Sequence, residues 1–97
     1  MAKKKQQIIA DIAEYFLGTA YSDCYVGITS DVHARLFGDH QVSQTSDRWI
    51  HRTASSHFVA REVEEYFLSA GMDGGSGGGD RRSRLVYAYK RTSQTLP

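Results

Sequence analysis

Residues 24–40, CYVGITSDVHARLFGDH, decide the fold because they join a strand pattern to a helix pattern across a short polar turn. The β-branched and aromatic residues 25–28 are typical of a strand, and the Thr-Ser-Asp run at 29–31 is typical of a helix start. Arg35 follows a turn or two into that helix, and His40 comes just after a glycine. The segment predicts a phenol, a guanidinium and an imidazole near one end of a sheet. Those groups suit attack on a phosphodiester.

Length and composition limit the class of protein. Ninety-seven residues, 40% of them hydrophobic, predict one globular domain over residues 1–97, near the lower size limit for a self-sufficient core. No apolar run approaches the roughly 20 residues of a membrane span, and the N-terminus lacks the apolar core of a signal peptide. The single cysteine, Cys24, excludes an internal disulfide framework and a cysteine-rich zinc site. We therefore expect a cytoplasmic protein without a membrane partner, and the sequence leaves its oligomeric state open.

The net charge of +1 hides an uneven distribution of charge. Eight basic residues lie in segments 3–5 and 81–91, whereas residues 6–80 carry all eleven acids and only four arginines. A fold that joins the two basic segments would create a stripe able to bind phosphates. Solvated tails and a strand with charged ends are the alternative.

Hydrophobic periodicity and turn signals predict the order of the elements. In chain order we expect a helix over 6–17, a strand over 24–29, a helix over 31–38, a strand over 49–53, a helix over 56–70 and a strand over 85–90. Ser30 or Asp31 caps the short helix, and Gly18 and Gly71 end the other two. This order predicts an α+β domain with a small, largely antiparallel, three-stranded sheet flanked by helices.

Three sequence features together resemble the GIY-YIG nuclease family. The YVG of residues 25–27 is similar to the family's "YIG", and Arg35 follows Tyr25 by ten residues, as in the family. The AREVE of residues 60–64 resembles the family's A-x-x-x-E helix. The LVYAY of residues 85–89 resembles the "GIY" strand moved to the C-terminus, whereas the segment before residue 24 reads as a helix. Over roughly residues 24–90 the chain thus resembles a divergent, circularly permuted member, and antiparallel pairing needs no particular chain order.

That resemblance implies an endonuclease that hydrolyses phosphodiester bonds of nucleic acid, DNA being the expected substrate, with one Mg²⁺ or Mn²⁺ as cofactor. It implies Tyr25 as the general base assisted by Tyr87, Arg35 on the phosphate, His40 as a proton carrier and Glu64 as the metal ligand. A phenol ionises near pH 10 in isolation, so such a base needs help from a nearby cation or a metal-bound water.

The chain departs from the family pattern at three positions. Ile28 stands where the family often has a lysine, and Leu85 stands where it has the first glycine. His40 lies five residues after Arg35, whereas the family's histidine commonly lies four after its arginine. These departures favour a domain with weakened catalysis.

Each candidate also has a purely structural interpretation. Arg35 lies four residues after Asp31, so the two could form an ion pair on the helix surface. Glu64 and the second ligand candidate, Glu62, could belong to a solvated acidic face. Tyr87 could be an ordinary strand aromatic.

Three arginines, Arg81, Arg82 and Arg84, follow a glycine-rich segment at 74–79. The segment lacks the Lys-Ser/Thr of a P-loop and does not follow a strand, so we reject nucleotide binding. It predicts either a flap that contacts a nucleic-acid backbone together with the arginines, or a linker that lets the last strand reach the sheet.

The sequence therefore favours two functions. The first is a metal-dependent endonuclease. The alternative is a catalytically weakened GIY-YIG-like domain that binds nucleic acid or a protein partner. A pure interaction module acting through the exposed face of helix 6–17 is the third and weakest hypothesis.

Overall fold

A computed structural model of the chain describes residues 2–75 and 81–97. Most of the predicted glycine-rich flap or linker lies outside these described residues. The elements in chain order are helix α1 (Lys5–Tyr15), a 3₁₀ turn (Tyr21–Asp23), strand β1 (Cys24–Thr29), a π-helix (His33–Asp39), strand β2 (Trp49–Thr53), helix α2 (His57–Ala70) and strand β3 (Leu85–Lys90). The predicted α+β class with a three-stranded antiparallel sheet is confirmed.

The last strand of the chain is the central strand of the sheet. The strand order is β1-β3-β2, and β3 is antiparallel to both neighbours. In this register Tyr87 lies opposite Gly27 on one side and His51 on the other, while Tyr89 lies opposite Tyr25 and Trp49. The sheet therefore closes only when β3 inserts between two strands that precede it.

Both faces of the sheet are covered, because side chains alternate along each strand. The face that carries Val26 and Val86 packs against α1 and α2 in the larger core cluster, which includes Ile12 and Phe67. The opposite face carries Tyr25, Tyr87 and Tyr89, which pack with Leu36 of the π-helix and with Val42. Tyr25 is therefore buried. In a sheet covered on one face only, it would be exposed on the face opposite to Val26.

The long helix α2 has the ends that the sequence predicts. Ser56 is its N-cap, and its hydroxyl accepts a hydrogen bond from the Val59 N–H at 3.2 Å. Gly71 ends the helix with φ of 120°, a value that glycine adopts without steric cost. Helix α1, by contrast, ends at Tyr15, two residues before the predicted end.

Residues 33–39 form a π-helix where the sequence predicts an ordinary helix turn. The His40 N–H donates to the Arg35 carbonyl at 2.8 Å, a bond that spans five residues. Asp31 caps the turn, since its Oδ1 accepts from the Ala34 N–H at 3.1 Å. The wider turn places residue 40 next to residue 35 along the helix.

No helix within residues 2–75 and 81–97 combines the length and the apolar character needed to cross a bilayer.

We predict that Gly27→Ala destabilises the fold by about 1–3 kcal/mol, because a small-to-large change in a packed site forces its neighbours to move. A Cβ at residue 27 would lie 2.4 Å from the Tyr87 hydroxyl oxygen and 2.6 Å from Cζ. Gly38→Ala is the matched control, since a Cβ there meets nothing within 4 Å and should leave stability within about 1 kcal/mol. Chemical denaturation measures both free energies of unfolding, and equal values for the two variants would contradict the close contact.

Candidate active site

Four predicted site residues line one pocket at the outer edge of β1. The pocket has a volume of about 110 Å³, large enough for several waters. Its lining residues are Tyr25, Gly27, Ile28, Arg35, Glu64, Gly75 and Tyr87. The phenols come from β1 and β3, Arg35 from the π-helix on one face of the sheet, and Glu64 from α2 on the other.

The segment after α2 runs along the edge of β1 and completes the pocket. The Val26 N–H donates to the Asp73 carbonyl at 2.9 Å, and the Asp73 N–H donates to the Cys24 carbonyl at 2.9 Å. Gly75 follows, and its N–H donates to the Tyr25 hydroxyl at 3.0 Å. No pattern in the sequence indicates this contact, because a backbone donor does not depend on the type of side chain.

Gly27 allows Tyr87 to reach the pocket. The Tyr87 ring crosses the β1 backbone at Gly27, and any Cβ there would overlap the ring. A glycine inside a strand commonly marks such a close approach. Gly27 thus has a packing role that fixes where the Tyr87 hydroxyl lies.

His40 lies behind Tyr87 and is only 1% exposed. Its Nδ1 is 2.8 Å from the Leu96 carbonyl oxygen, which can only accept a hydrogen bond, so Nδ1 carries the proton. The unprotonated Nε2 is 2.7 Å from the Tyr87 hydroxyl and accepts its proton in a hydrogen bond. His40 and Tyr87 therefore form a buried imidazole–phenol pair.

The C-terminal segment holds this pair in place through Leu96. The Leu96 N–H donates to the His40 carbonyl at 2.7 Å, and the Leu96 carbonyl also accepts from the Tyr89 hydroxyl at 2.9 Å. The sequence did not indicate this role, because Leu96 acts through its backbone.

Burial sets the protonation states of the pair. It raises the pKa of Tyr87 to about 12, against the opposing effect of the Arg35 charge. Burial also lowers the pKa of His40 below its usual 6.5, so the imidazole is neutral at pH 7. A neutral imidazole is a suitable acceptor for the Tyr87 proton.

Arg35 pairs with a different carboxylate from the one that the sequence indicated. Its Nη1 is 3.0 Å from Asp39 Oδ2, and the predicted alternative partner, Asp31, instead caps the helix turn. The Arg35 side chain is 40% exposed, and exposed pairs contribute only about 0–1 kcal/mol. The guanidinium can therefore exchange Asp39 for a phosphate at little cost.

Glu64 supplies the pocket's carboxylate. The residue is 3% exposed, and burial raises its pKa above the usual value, with the Arg61 charge acting in the opposite direction. The second ligand candidate, Glu62, lies outside the pocket and pairs with Lys5 at 3.7 Å on the surface.

The pocket's lining offers a divalent cation one carboxylate, that of Glu64. No group of three or more His, Cys, Asp or Glu side chains that could enclose a metal ion occurs in the described part of the chain. Mg²⁺ commonly keeps most of its waters and binds one or two carboxylates together with substrate phosphates. Glu64, buried at the wall of a pocket that admits water, is the residue able to hold such an ion.

The three predicted backbone-binding arginines do not line the pocket. Arg81, Arg82 and Arg84 are exposed just before β3. The Arg84 carbonyl accepts from the Ala54 N–H at 2.7 Å, and the N-terminal Lys3 N–H donates to the neighbouring Thr53 carbonyl at 2.8 Å. Part of the predicted basic stripe therefore does come together, around Ala54.

The remaining basic residues, Lys90 and Arg91, are at the opposite end of β3. Arg91 pairs there with Asp73 at 3.0 Å. The eight basic residues thus do not form one continuous stripe.

Comparisons of the chain with protein-family models, with curated proteins and with solved structures found no match. Its function must therefore be inferred from the residues of the site and their geometry.

We predict that deleting residues 96 and 97 frees the His40 ring and lowers the free energy of unfolding by about 1–3 kcal/mol, because buried polar groups lose their partners. Nitrogen-15 NMR of the imidazole should show the Nδ1–H form in the intact chain and a mixture of tautomers in the shortened one. Leu96→Ala keeps the backbone N–H and carbonyl of residue 96 and is the control. An unchanged tautomer in the shortened chain would refute the role of the Leu96 carbonyl.

We predict that Glu64→Gln raises the melting temperature at pH 8 in the absence of metal. Because the folded protein raises the pKa of this carboxyl, its ionisation opposes folding above that pKa, and glutamine lacks this cost. Mg²⁺ or Mn²⁺ should raise the melting temperature of the wild-type chain but not that of the variant. Glu62→Gln, at a side chain that is 57% exposed, should behave like wild type in both respects. A metal response retained in Glu64→Gln would exclude this ligand.

Proposed function

We propose that this chain is a small metal-dependent endonuclease of the GIY-YIG type, permuted so that the first tyrosine strand of the family comes last. One observation carries the proposal. Two phenols, a guanidinium and a carboxylate from four separate elements line the same pocket of about 110 Å³. A base, a phosphate clamp and a metal ligand are the groups that metal-dependent hydrolysis of a phosphodiester uses.

Tyr87 is the better general base of the two tyrosines. Its hydroxyl donates to the neutral His40 Nε2 at 2.7 Å, so its proton can move to the imidazole while its oxygen takes a proton from the attacking water. The positive charge of Arg35 favours the Tyr87 phenolate that forms between these two proton transfers. Tyr25, which the sequence favoured as the base, then has the assisting role and orients water beside the Gly75 amide.

Arg35 and Glu64 act on the phosphate. Arg35 binds a non-bridging oxygen and neutralises charge as the phosphorus becomes five-coordinate. Glu64 would hold the divalent cation, which when bound would stabilise negative charge at the phosphate.

Local structure compensates for two of the departures from the family. The π-helix bonds the His40 N–H to the Arg35 carbonyl, so a separation of five residues still puts the two on successive turns. Ile28 lines the pocket where the family often has a lysine, and here Arg35 and His40 provide the help that the phenol needs.

The alternative is a domain of the same type that binds nucleic acid or a protein partner with little catalysis. The observation that favours it is the pKa of about 12 for Tyr87, which makes phenolate formation costly at neutral pH.

We predict that the chain nicks supercoiled plasmid DNA with Mg²⁺ or Mn²⁺, and that Tyr87→Phe, Arg35→Ala and Glu64→Gln each lower the rate by about 100-fold or more. Tyr66→Phe and Glu62→Gln, at exposed positions of α2, are matched controls with wild-type rates. The rate should be level from pH 7 to 8 and fall below pH 6.5, since the lowered pKa of His40 confines its protonation to that range.

Two results would decide against hydrolysis at this pocket. Wild-type nicking by Glu64→Gln would place any activity elsewhere. No nicking, together with binding to DNA that weakens with salt, would favour the catalytically weakened domain.

A further inference from the structure

A third phenol, that of Tyr89, lies at the ring nitrogen of His40 that Tyr87 does not contact. The Tyr89 hydroxyl oxygen is 3.1 Å from His40 Nδ1 and donates to the Leu96 carbonyl at 2.9 Å. The Leu96 carbonyl oxygen is itself 2.8 Å from the same Nδ1. The hydroxyl, the carbonyl and the ring nitrogen therefore form a closed triangle of polar atoms.

The chemistry of the three groups fixes the direction of each hydrogen bond in this triangle. The Leu96 carbonyl can only accept, so Nδ1 and the Tyr89 hydroxyl both donate to it. Because the hydroxyl gives its proton to Leu96, its lone pairs are free to accept from Nδ1–H. The Nδ1 proton is thus shared between two oxygens in a three-centre hydrogen bond.

Packing fixes the Tyr89 ring in this position. The residue is 0% exposed and lies on the central strand β3. Its ring stacks on that of Tyr25, with centroids 5.3 Å apart and planes 23° from parallel, and its centroid is 5.1 Å from that of His40. Burial also raises the pKa of Tyr89 above its usual value, so the hydroxyl keeps its proton at neutral pH.

The surroundings of His40 make a positive charge on its ring costly. Burial and the nearby Arg35 charge both lower the pKa of His40. The Asp39 carboxylate acts in the opposite direction, but it pairs with Arg35 at 3.0 Å. The other groups that face the ring are neutral, namely the Leu96 carbonyl and the phenols of Tyr25, Tyr87 and Tyr89. A second acceptor at Nδ1 therefore counts most when the ring is protonated, since hydrogen bonds to a charged group are stronger than those to a neutral one.

We propose that Tyr89 is the positioning residue of a proton relay from Tyr87 to His40, in which a phenol and a carbonyl replace the carboxylate that commonly orients a histidine base. This inference rests on the proposed function. The Tyr89 hydroxyl has two tasks. It holds the imidazole in the Nδ1–H form with Nε2 free toward Tyr87, and it stabilises the imidazolium that forms in the reaction.

Tyr89 acts while a proton is held on His40. The oxygen of the attacking water forms a bond to phosphorus and gives one proton to the Tyr87 oxygen, while the Tyr87 proton moves to His40 Nε2. The bond between phosphorus and the leaving oxygen breaks, and the imidazolium proton returns through solvent to that oxygen. Between these events the three-centre bond at Nδ1 stabilises the charged ring.

Tyr89→Phe removes the hydroxyl and keeps the ring that stacks on Tyr25. We expect kcat for plasmid nicking with Mg²⁺ to fall at least about 10-fold, because the charged imidazole loses a hydrogen bond. KM for DNA should stay within about twofold, since Tyr89 does not line the pocket. The hydroxyl favours the protonated ring, so its loss lowers the pKa of His40. The acid limb of the rate profile and the His40 titration followed by nitrogen-15 NMR should therefore both move to lower pH.

Tyr15→Phe is the matched control, because it also removes one hydrogen-bonded phenol hydroxyl. The Tyr15 hydroxyl accepts from the Trp49 backbone N–H at 3.1 Å, and its ring packs against the core cluster on the opposite face of the sheet. Both variants should lower the melting temperature. The Tyr15→Phe chain should keep the wild-type kcat and the wild-type titration of His40.

The two measurements separate failure of this role from failure of the proposed function. An unchanged kcat in Tyr89→Phe would overturn the role of Tyr89 in the relay and leave the endonuclease standing, whether or not the His40 titration moves. Absence of nicking by the wild-type chain, with a His40 titration that still depends on Tyr89, would overturn the endonuclease and leave the hold of Tyr89 on the imidazole standing.

Discussion

The ring of Tyr87 lies directly on the backbone of Gly27, and the rest of the site depends on that contact. It sets the Tyr87 hydroxyl at the edge of β1, within 2.7 Å of His40 and in the same pocket as Glu64. A side chain at residue 27 would push the phenol away from both. The absence of one Cβ therefore places the Tyr87 phenol against the imidazole that accepts its hydrogen bond and at the wall of the pocket.

The strands and the long helix could be predicted from sequence because their signals are local. The alternation over residues 24–29 and 85–90 gives both strand bounds, and Ser56 and Gly71 mark the ends of α2. The π-helix could not be predicted. Its hydrogen bond across five residues depends on the packing of Leu36 into the core while Asp31 caps the turn. Local patterns do not report such constraints.

The site was predictable as a set of side chains but not as a network. Tyr25, Arg35, Glu64 and Tyr87 stand out by residue type and spacing, and the fold brings them to one pocket. Their partners were not visible in the sequence, since the Leu96 carbonyl and the Gly75 amide are backbone groups. For the same reason the proposed mechanism makes Tyr87 and not Tyr25 the base: only the folded chain reveals which phenol donates its hydrogen bond to the imidazole.

The position of β3 has a consequence for how the protein is made. During synthesis β1 and β2 leave the ribosome without the strand that separates them, so neither can adopt its native pairing. Tyr87 and the Leu96 carbonyl are also absent at that stage, and the pocket has neither its second phenol nor its oriented imidazole. The pocket is consequently assembled only after translation has passed β3 and residue 96.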